Sequence, residues 1–377
     1  MTIRNKITLP LLILLALLVS ACQANWSIPL TENGVPSDNA ITQDKVDYYI
    51  ETLEEENDTV LLDQFLYDNG YRLIDQIVVS SENAAPLTYN WEEFAEYTFI
   101  SNKGELIIEG TEIPVDTIDI QPSKRLDEVE LSIMDISPTI LNALGLPALP
   151  DAEGQVQFDF DAKQAVIILT DGTQYDKLNA MAAAGELPFF QSQDKIYCGL
   201  TVYPSVTTAS SAALFTSTPP SVNKVYGHGF RSTELTTLFD VLIDNEKMAV
   251  AVEGASMPFN LRNAEVVLSG DRDGNGYSDD NVYMNAMEVI QNSLPHLLYI
   301  HFHEIDDMGH EYGENSTEYE AALIRVDQYI TDIVDMLPSD TLIIIIADHG
   351  MHTTPNGGNH GTLAATDMLI PVTFIQK

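Results

Sequence analysis

The chain has 377 residues and a mass of 41.6 kDa, and 45% of its residues are apolar, enough to bury a sizeable core and too much for a disordered tail. Its 57 acidic residues against 17 basic ones leave a formal net charge of −40, which repels nucleic acid and anionic headgroups at long range. Polyanion binding is thereby disfavoured, while catalysis is left open.

Arg4 and Lys6 precede an apolar run at 9–19, and Val19-Ser20-Ala21-Cys22 follows at once. The run is too short for a membrane-spanning helix, and small residues before a cysteine suit cleavage. Residues 1–22 resemble a bacterial lipoprotein signal peptide, which implies an extracytoplasmic protein held at the membrane by lipid on Cys22. Cys198 is the one other cysteine, so no disulfide within the chain is expected. Residues 23–43 begin with a stretch rich in Asn, Ser, Pro and acidic residues and read as a flexible tether. Residues 44–125 alternate short helical patterns with strand-like runs at 74–79 and 105–108, which predicts a small α+β module. It holds no histidine, cysteine or Gly-rich phosphate loop, and its role is open.

Residues 131–146 read LSIMDISPTILNALGL: Ser137 suits a helix cap, Pro138 the first helical position and Gly145 the stop. Further on, AVIILT at 165–170, the run at 248–252, LLYIHF at 297–302 and LIIIIA at 342–347 are apolar without strict alternation. Such runs are strands covered by helices on both faces, in an open, mostly parallel α/β sheet.

In such sheets, ligands sit beyond the C-terminal ends of the strands. Asp171, Asp306 with His310, and Asp348 with His349 all lie just after these runs, and His360 follows in GGNHGT. Three carboxylates and three imidazoles supply hard oxygen and borderline nitrogen donors, a set suited to a pair of Zn²⁺ ions. Any one of them alone reads as a solvated turn or a hydrogen-bonded histidine. The stretch YPSVTTASSAALFTS offers hydroxyls at Ser205, Thr207, Thr208, Ser210 and Ser211 where a helix starts, and a helix N-terminus favours an anionic phosphoryl group. Spacing does not choose among these hydroxyls, and an ordinary Ser/Thr cap is the plain alternative.

Asp271, Asp273, Asn275, Tyr277 and Asp279 fall at alternating positions of an EF-hand-like loop with Gly276 at the sharp turn. Val282 stands where the bidentate glutamate belongs, so a structural Ca²⁺ and a Gly/Asp surface turn are both open. His301 and His303 alternate on one strand, either as donors that orient a metal-binding carboxylate or as packed histidines.

The ordered set TDG at 170–172, PSVT at 204–207, HFHEIDDMGHEYG at 301–313, ADHGM at 347–351 and NHG at 359–361 resembles the alkaline phosphatase superfamily, most of all its type I phosphodiesterase and nucleotide pyrophosphatase branch. The resemblance covers about residues 165–377. It implies an α/β, alkaline-phosphatase-like three-layer sandwich with a mostly parallel central sheet. It further implies two Zn²⁺ ions, one among Asp171, Asp348, His349 and Thr207, the other among Asp306, His310 and His360, with Thr207 as the nucleophile. Ser210 occupies the place of an Asn that contacts phosphate in relatives, and is a candidate phosphate contact. The segment DISPTILNALGLP at 135–147, which the family carries after its last strand, here precedes the catalytic strands and reads as a circular permutation. The catalytic domain is thus expected at 126–377, with 126–154 a permuted element packed beside a strand near residues 371–375. The short stretch between His349 and Asn359 implies an open site.

The expected activity is metal-dependent hydrolysis of a small phosphate ester, a phosphodiester or nucleotide pyrophosphate, through a phosphothreonine intermediate. A phosphomonoesterase with the same two-metal site, and an inactive lipid-anchored binding protein, are the alternatives. Sulfatases need a Cys or Ser in C/S-x-P-x-R, and Cys198 is followed by GLTVYP, which lacks it.

Overall fold

The computed structural model describes residues 26–53, 58–82, 84–227, 229–272 and 274–377. The leader with Cys22, and Asp273 of the calcium-like loop, lie outside the described residues.

The apolar runs form the middle of an eight-stranded sheet. Its order is Leu131–Ser132, Tyr197–Leu200, Leu369–Gln376, Thr341–Ile346, Gln164–Thr170, Leu297–Phe302, Ala249–Glu253, Glu265–Leu268. Gln164–Thr170 lies parallel to both neighbours, with Ile168 opposite Ile300 on one side and Ile345 on the other. Antiparallel pairing enters with Leu369–Gln376, which runs against both strands beside it. Successive strand residues face opposite sides. Ile167, Leu169, Ile344 and Ile346 pack with the helices Ile136–Ala143, Thr207–Thr216 and Leu238–Asp244, whereas Val166, Ile168, Ile343 and Ile345 pack with Tyr175–Ala184, Asp279–Ser293 and Thr317–Met336. This is the expected three-layer α/β sandwich around a mostly parallel sheet. Both faces being covered, each buried Ile contributes about 1.5–3 kcal/mol.

The segment at 131–146 joins this core one strand further out than expected. Leu131–Ser132 pairs in parallel with Tyr197–Leu200, which separates it from Leu369–Gln376, while the helix Ile136–Ala143 packs in the same apolar layer as Ile370 and Val372. Ser137 is not the cap. The preceding turn is closed by Ser132 and Asp135, and the Ser137 hydroxyl, inside the helix, donates to the Leu214 carbonyl.

The tether expected at 23–43 is corrected. Ser27–Glu32 and Val35–Thr42 form a hairpin, and the first of them also pairs in parallel with Thr117–Pro122. Asn33 and Gly34 both take positive φ, 50° and 76°, as a tight two-residue hairpin turn requires. Ile28, Leu30 and Ile41 are buried on one face, so this polar-looking stretch follows the period-2 rule of a half-buried strand.

The hairpin belongs to a five-stranded sheet, next to a four-stranded one built from Thr59–Leu61, Thr98–Ser101, Leu106–Ile108 and Thr111–Ile113. Their apolar cluster runs without a break into Cys198 and Leu369 of the larger sheet and into Tyr203, Leu363 and Met368 beside it. Polar contacts reinforce the join. Asp63 accepts from the Trp91 indole and from the Leu363 amide, and burial pushes its carboxyl up to about 7. His352 lies 2.8 Å from Asp367 and 3.4 Å from Glu96 of the N-terminal part. Burial alone would lower the His352 pKa, but Asp367 and Glu96 hold it up to about 10. A folded pKa raised above the unfolded value gives stability that is full below about 6.5 and is lost as pH rises through about 10. The melting-temperature gap between wild type and His352→Gln should therefore narrow from pH 7 to pH 10. A gap constant over that range would contradict this role.

Candidate metal centre

Four strands that end at the C-terminal edge of the central sheet deliver polar groups to one place. Asp171 follows Gln164–Thr170, Glu253 ends Ala249–Glu253, His303 and Asp306 follow Leu297–Phe302, and Asp348 and His349 follow Thr341–Ile346. A hairpin of His352–Thr354 with Gly357–Asn359 returns the chain so that His360 faces them. His349 and His360 stack with ring centroids 3.7 Å apart, and His310 Nε2 lies 3.1 Å from His360 Nε2.

The helix Thr207–Thr216 starts at Val206, which has no side chain able to cap it, so the plain reading of Thr207 as a cap fails. The Thr207 hydroxyl instead donates to Asp171 Oδ1 at 3.4 Å and lies 3.3 Å from His349 Nε2. Two neighbouring hydroxyls point elsewhere. Ser205 donates to the Thr362 carbonyl, and Ser210 meets Thr201 Oγ1, which in turn donates to the Asp348 carbonyl. Ser210, fully buried, is thus corrected from a phosphate contact to a prop that fixes the turn bearing Asp348.

The seven candidate ligands meet in one place. One group comprises Asp171, Asp348 and His349, another Asp306, His349 and His360, with donor atoms in each within 4.8 Å of one another. His349 belongs to both groups, and His310 reaches Asp306 Oδ2 at 3.3 Å. Whether the donors fit cations is tested by their unmet bonding capacity. Asp306 Oδ1 and Asp348 Oδ2 are buried with no hydrogen-bond partner, a costly condition that a cation relieves. The proton affinities agree. Burial, then the charge of Asp171, pushes Asp348 up to about 7. Burial would also raise Asp171, but His301, His303 and His349 hold it well below the usual carboxylate range. Burial and the charge on His349 bring His360 down to about 4. Carboxylates so crowded, beside an imidazole kept neutral, form a donor set ready for divalent cations.

Gly172 shows why TDG is built as it is. Its φ is +65°, and a Cβ there would meet Asp306 Oδ1 at 2.6 Å. Gly172→Ala should cost about 1–2 kcal/mol in backbone strain and displace the Asp306 carboxylate. Thermal melts and a metal titration should show a folded protein with weakened metal binding; unaltered affinity would refute the close fit.

Of the calcium-loop candidates, Asp279 does not join the others. Asp271 turns its carboxylate onto the loop's own Gly274, Asn275 and Gly276 amides, and Asn275 Oδ1 accepts from the Tyr277 amide. Asp279, fully buried, points away from the loop and accepts from the backbone amides of His303 and Glu304.

Two contributions were missed. Glu253, a lone charge ending the run AVAVE, binds both His301 and His303. Glu96 of the N-terminal part bonds Asn359 beside His360. A cavity of about 690 Å³ opens against His360, between Leu61, Gln64 and Glu96 on one side and Tyr203 and Phe230 on the other. The N-terminal part therefore forms one wall of the site.

Residues 280–370 match the family model of the type I phosphodiesterases / nucleotide pyrophosphatases. GPI ethanolamine phosphate transferase 3 of Saccharomyces cerevisiae is 24% identical over 225 residues, covering 52% of this chain and 22% of that protein. The catalytic subunit of the human transferase 3 is 29% identical over 103 residues, 27% of this chain and 8% of that protein. The aligned stretches thus span about a fifth or less of these relatives. A phosphonoacetate hydrolase of Sinorhizobium meliloti 1021 is 18% identical, with 55% of this chain and 60% of that chain covered and a TM-score of 0.42, a likeness from which nothing further follows. The resemblance to the alkaline phosphatase superfamily is borne out. The reading of a membrane-anchored, extracytoplasmic bacterial lipoprotein is corrected. The curated relatives matched are GPI ethanolamine phosphate transferases of fungi, human and mouse, not bacterial lipoproteins.

Proposed function

We propose that the chain cleaves phosphodiesters by attack of the Thr207 hydroxyl on phosphorus. The observation that carries the reading is the convergence of Thr207 with Asp171, Asp306, His310, Asp348, His349 and His360 around carboxylate oxygens left without hydrogen-bond partners. Asp171, Asp348 and His349 would hold one Zn²⁺ beside Thr207, and Asp306, His310 and His360 the other, with His349 within reach of both. Bound there, such cations lower the pKa of a coordinated hydroxyl and stabilise charge on phosphoryl and leaving oxygens.

The chain's own residues do the positioning. Asp171 Oδ1 accepts the Thr207 hydrogen bond and directs the oxygen lone pair to the pocket. As the Thr207 hydroxyl proton passes to the leaving alcohol by way of solvent, a new O–P bond to Thr207 forms and the bond to that alcohol breaks, giving a Thr207 phosphodiester that keeps the second substituent; water then releases the phosphate monoester and restores the hydroxyl. The helix Thr207–Thr216 presents its N-terminal end to the phosphoryl group. The cavity beside His360 favours a diester over a monoester, because it offers room for a second substituent.

The transferases among the relatives favour a second reading, in which an alcohol replaces water in the second step. Aryl phosphate diester, aryl phosphate monoester and aryl sulfate, assayed side by side with metal analysis, test the first reading. The diester should turn over fastest, and faster still with an added acceptor alcohol if transfer operates. Fastest turnover of the monoester would favour a phosphomonoesterase; metal-loaded protein inert towards all three would leave a binding role.

A further inference from the structure

Behind the candidate catalytic pair lies a second cluster of donors. His301 Nε2 is 3.1 Å and His303 Nδ1 is 3.4 Å from Asp171 Oδ2, and the three donor atoms all lie within 4.8 Å of one another. We infer that Asp171, His301 and His303 form a third metal site, for Zn²⁺ or a similar borderline cation, with Asp171 bridging it to the catalytic pair. In using Asp171 twice, the inference rests on the two-metal reading.

Asp171 has an oxygen for each task. Oδ1 faces Thr207 at 3.4 Å and His349 at 3.3 Å, while Oδ2 faces His301 and His303. Zinc bonds of 2.0–2.1 Å in a tetrahedron place neighbouring donors about 3.3 Å apart, and the spacings to Asp171 Oδ2 fall around that figure. The outer side is built to match. Glu253 Oε2 lies 3.1 Å from His301 Nδ1 and 3.0 Å from His303 Nε2, so one carboxylate takes the remaining N–H of both rings. It thereby fixes the tautomers that turn His301 Nε2 and His303 Nδ1 toward the common point, the arrangement seen when a carboxylate backs metal-bound histidines.

The surroundings hold this geometry. The two imidazoles lie close together, centroids 3.7 Å apart and planes tilted by 35°. Gly254 leaves the room His303 needs, since a Cβ there would come within 2.9 Å of its ring. Asp279 pins the His303 amide at 2.9 Å. His301 is fully buried, but the His303 side chain is 21% exposed, which gives an ion an entry path.

The competing arrangement is an ion-free ring of four hydrogen bonds among the same residues, and metal counting separates the two. The full chain, loaded with excess zinc and desalted, should carry three zinc ions by mass spectrometry, and His303→Ala should carry two. Glu253→Gln should weaken the third ion by about 10–100-fold, a check that keeps the cluster's volume nearly unchanged should His303→Ala fold poorly. Cobalt substitution should show one set of d–d absorption bands fewer in His303→Ala. Two zinc ions in wild type and variant alike would overturn the third site and leave the catalytic pair standing. Three in both would place the extra ion elsewhere, which also overturns it. None in either would overturn both readings.

Discussion

Thr207→Ala should lower turnover of an aryl phosphodiester by at least about 10³-fold while leaving the metal content of the protein unchanged. The variant removes the hydroxyl 3.4 Å from Asp171 Oδ1 but none of the carboxylate or imidazole donors. Its effect on folding should be small, because Thr207 caps no helix and the helix it begins is held by Ala209, Ala212, Ala213 and Phe215 in the apolar layer. Thr207→Ser, which keeps the oxygen, should retain much of the activity and form a labelled phosphoserine on brief incubation. Full activity in Thr207→Ala would exclude the nucleophile, and activity lost together with metal would mean that the hydroxyl serves chiefly as a ligand.

His349→Ala should have the other large effect, and a different signature. His349 is fully buried, lies between the two candidate donor groups and approaches Asp171, Asp348 and Thr207 within 3.5 Å. Its removal strips both groups of an imidazole. The loss in metal affinity should therefore exceed the roughly 10–100-fold typical of losing an outer partner, and kcat/KM should fall with it. It also leaves two buried carboxylates without their cationic neighbour, which costs about 3–5 kcal/mol where a buried pair is broken. Metal titration, kinetics and thermal melts should all shift together, in contrast to Thr207→Ala, where kinetics alone moves. A His349→Ala protein with wild-type metal affinity would refute the shared-donor arrangement.

The sheet was legible because its strands are covered on both faces. Runs such as LIIIIA and LLYIHF admit few other structures, and an Asp or His placed directly after them falls at the edge where parallel sheets bind ligands. The direction of individual side chains was not legible. Ser210 and Thr207 lie in the same turn of one helix, yet one hydroxyl faces Thr201 and the other the pocket. Asp279 fits the periodicity of a calcium loop but begins a helix and turns inward to two backbone amides. At 27–42 a readable signal was outweighed: Asn33-Gly34 marks a hairpin by its chemistry, but the surrounding Pro, Ser and Asn suggested a chain without structure. Glu96 was beyond reach, since no local pattern tells that a residue far upstream will meet Asn359.

One wall of the cavity comes from a stretch of chain separate from the donors beneath it. Leu61, Gln64 and Glu96 precede the first strand of the catalytic layer, whereas every candidate ligand follows residue 170. On the proposed reading, substitutions at Leu61, Gln64 or Glu96 change what the cavity accepts while leaving every candidate donor in place.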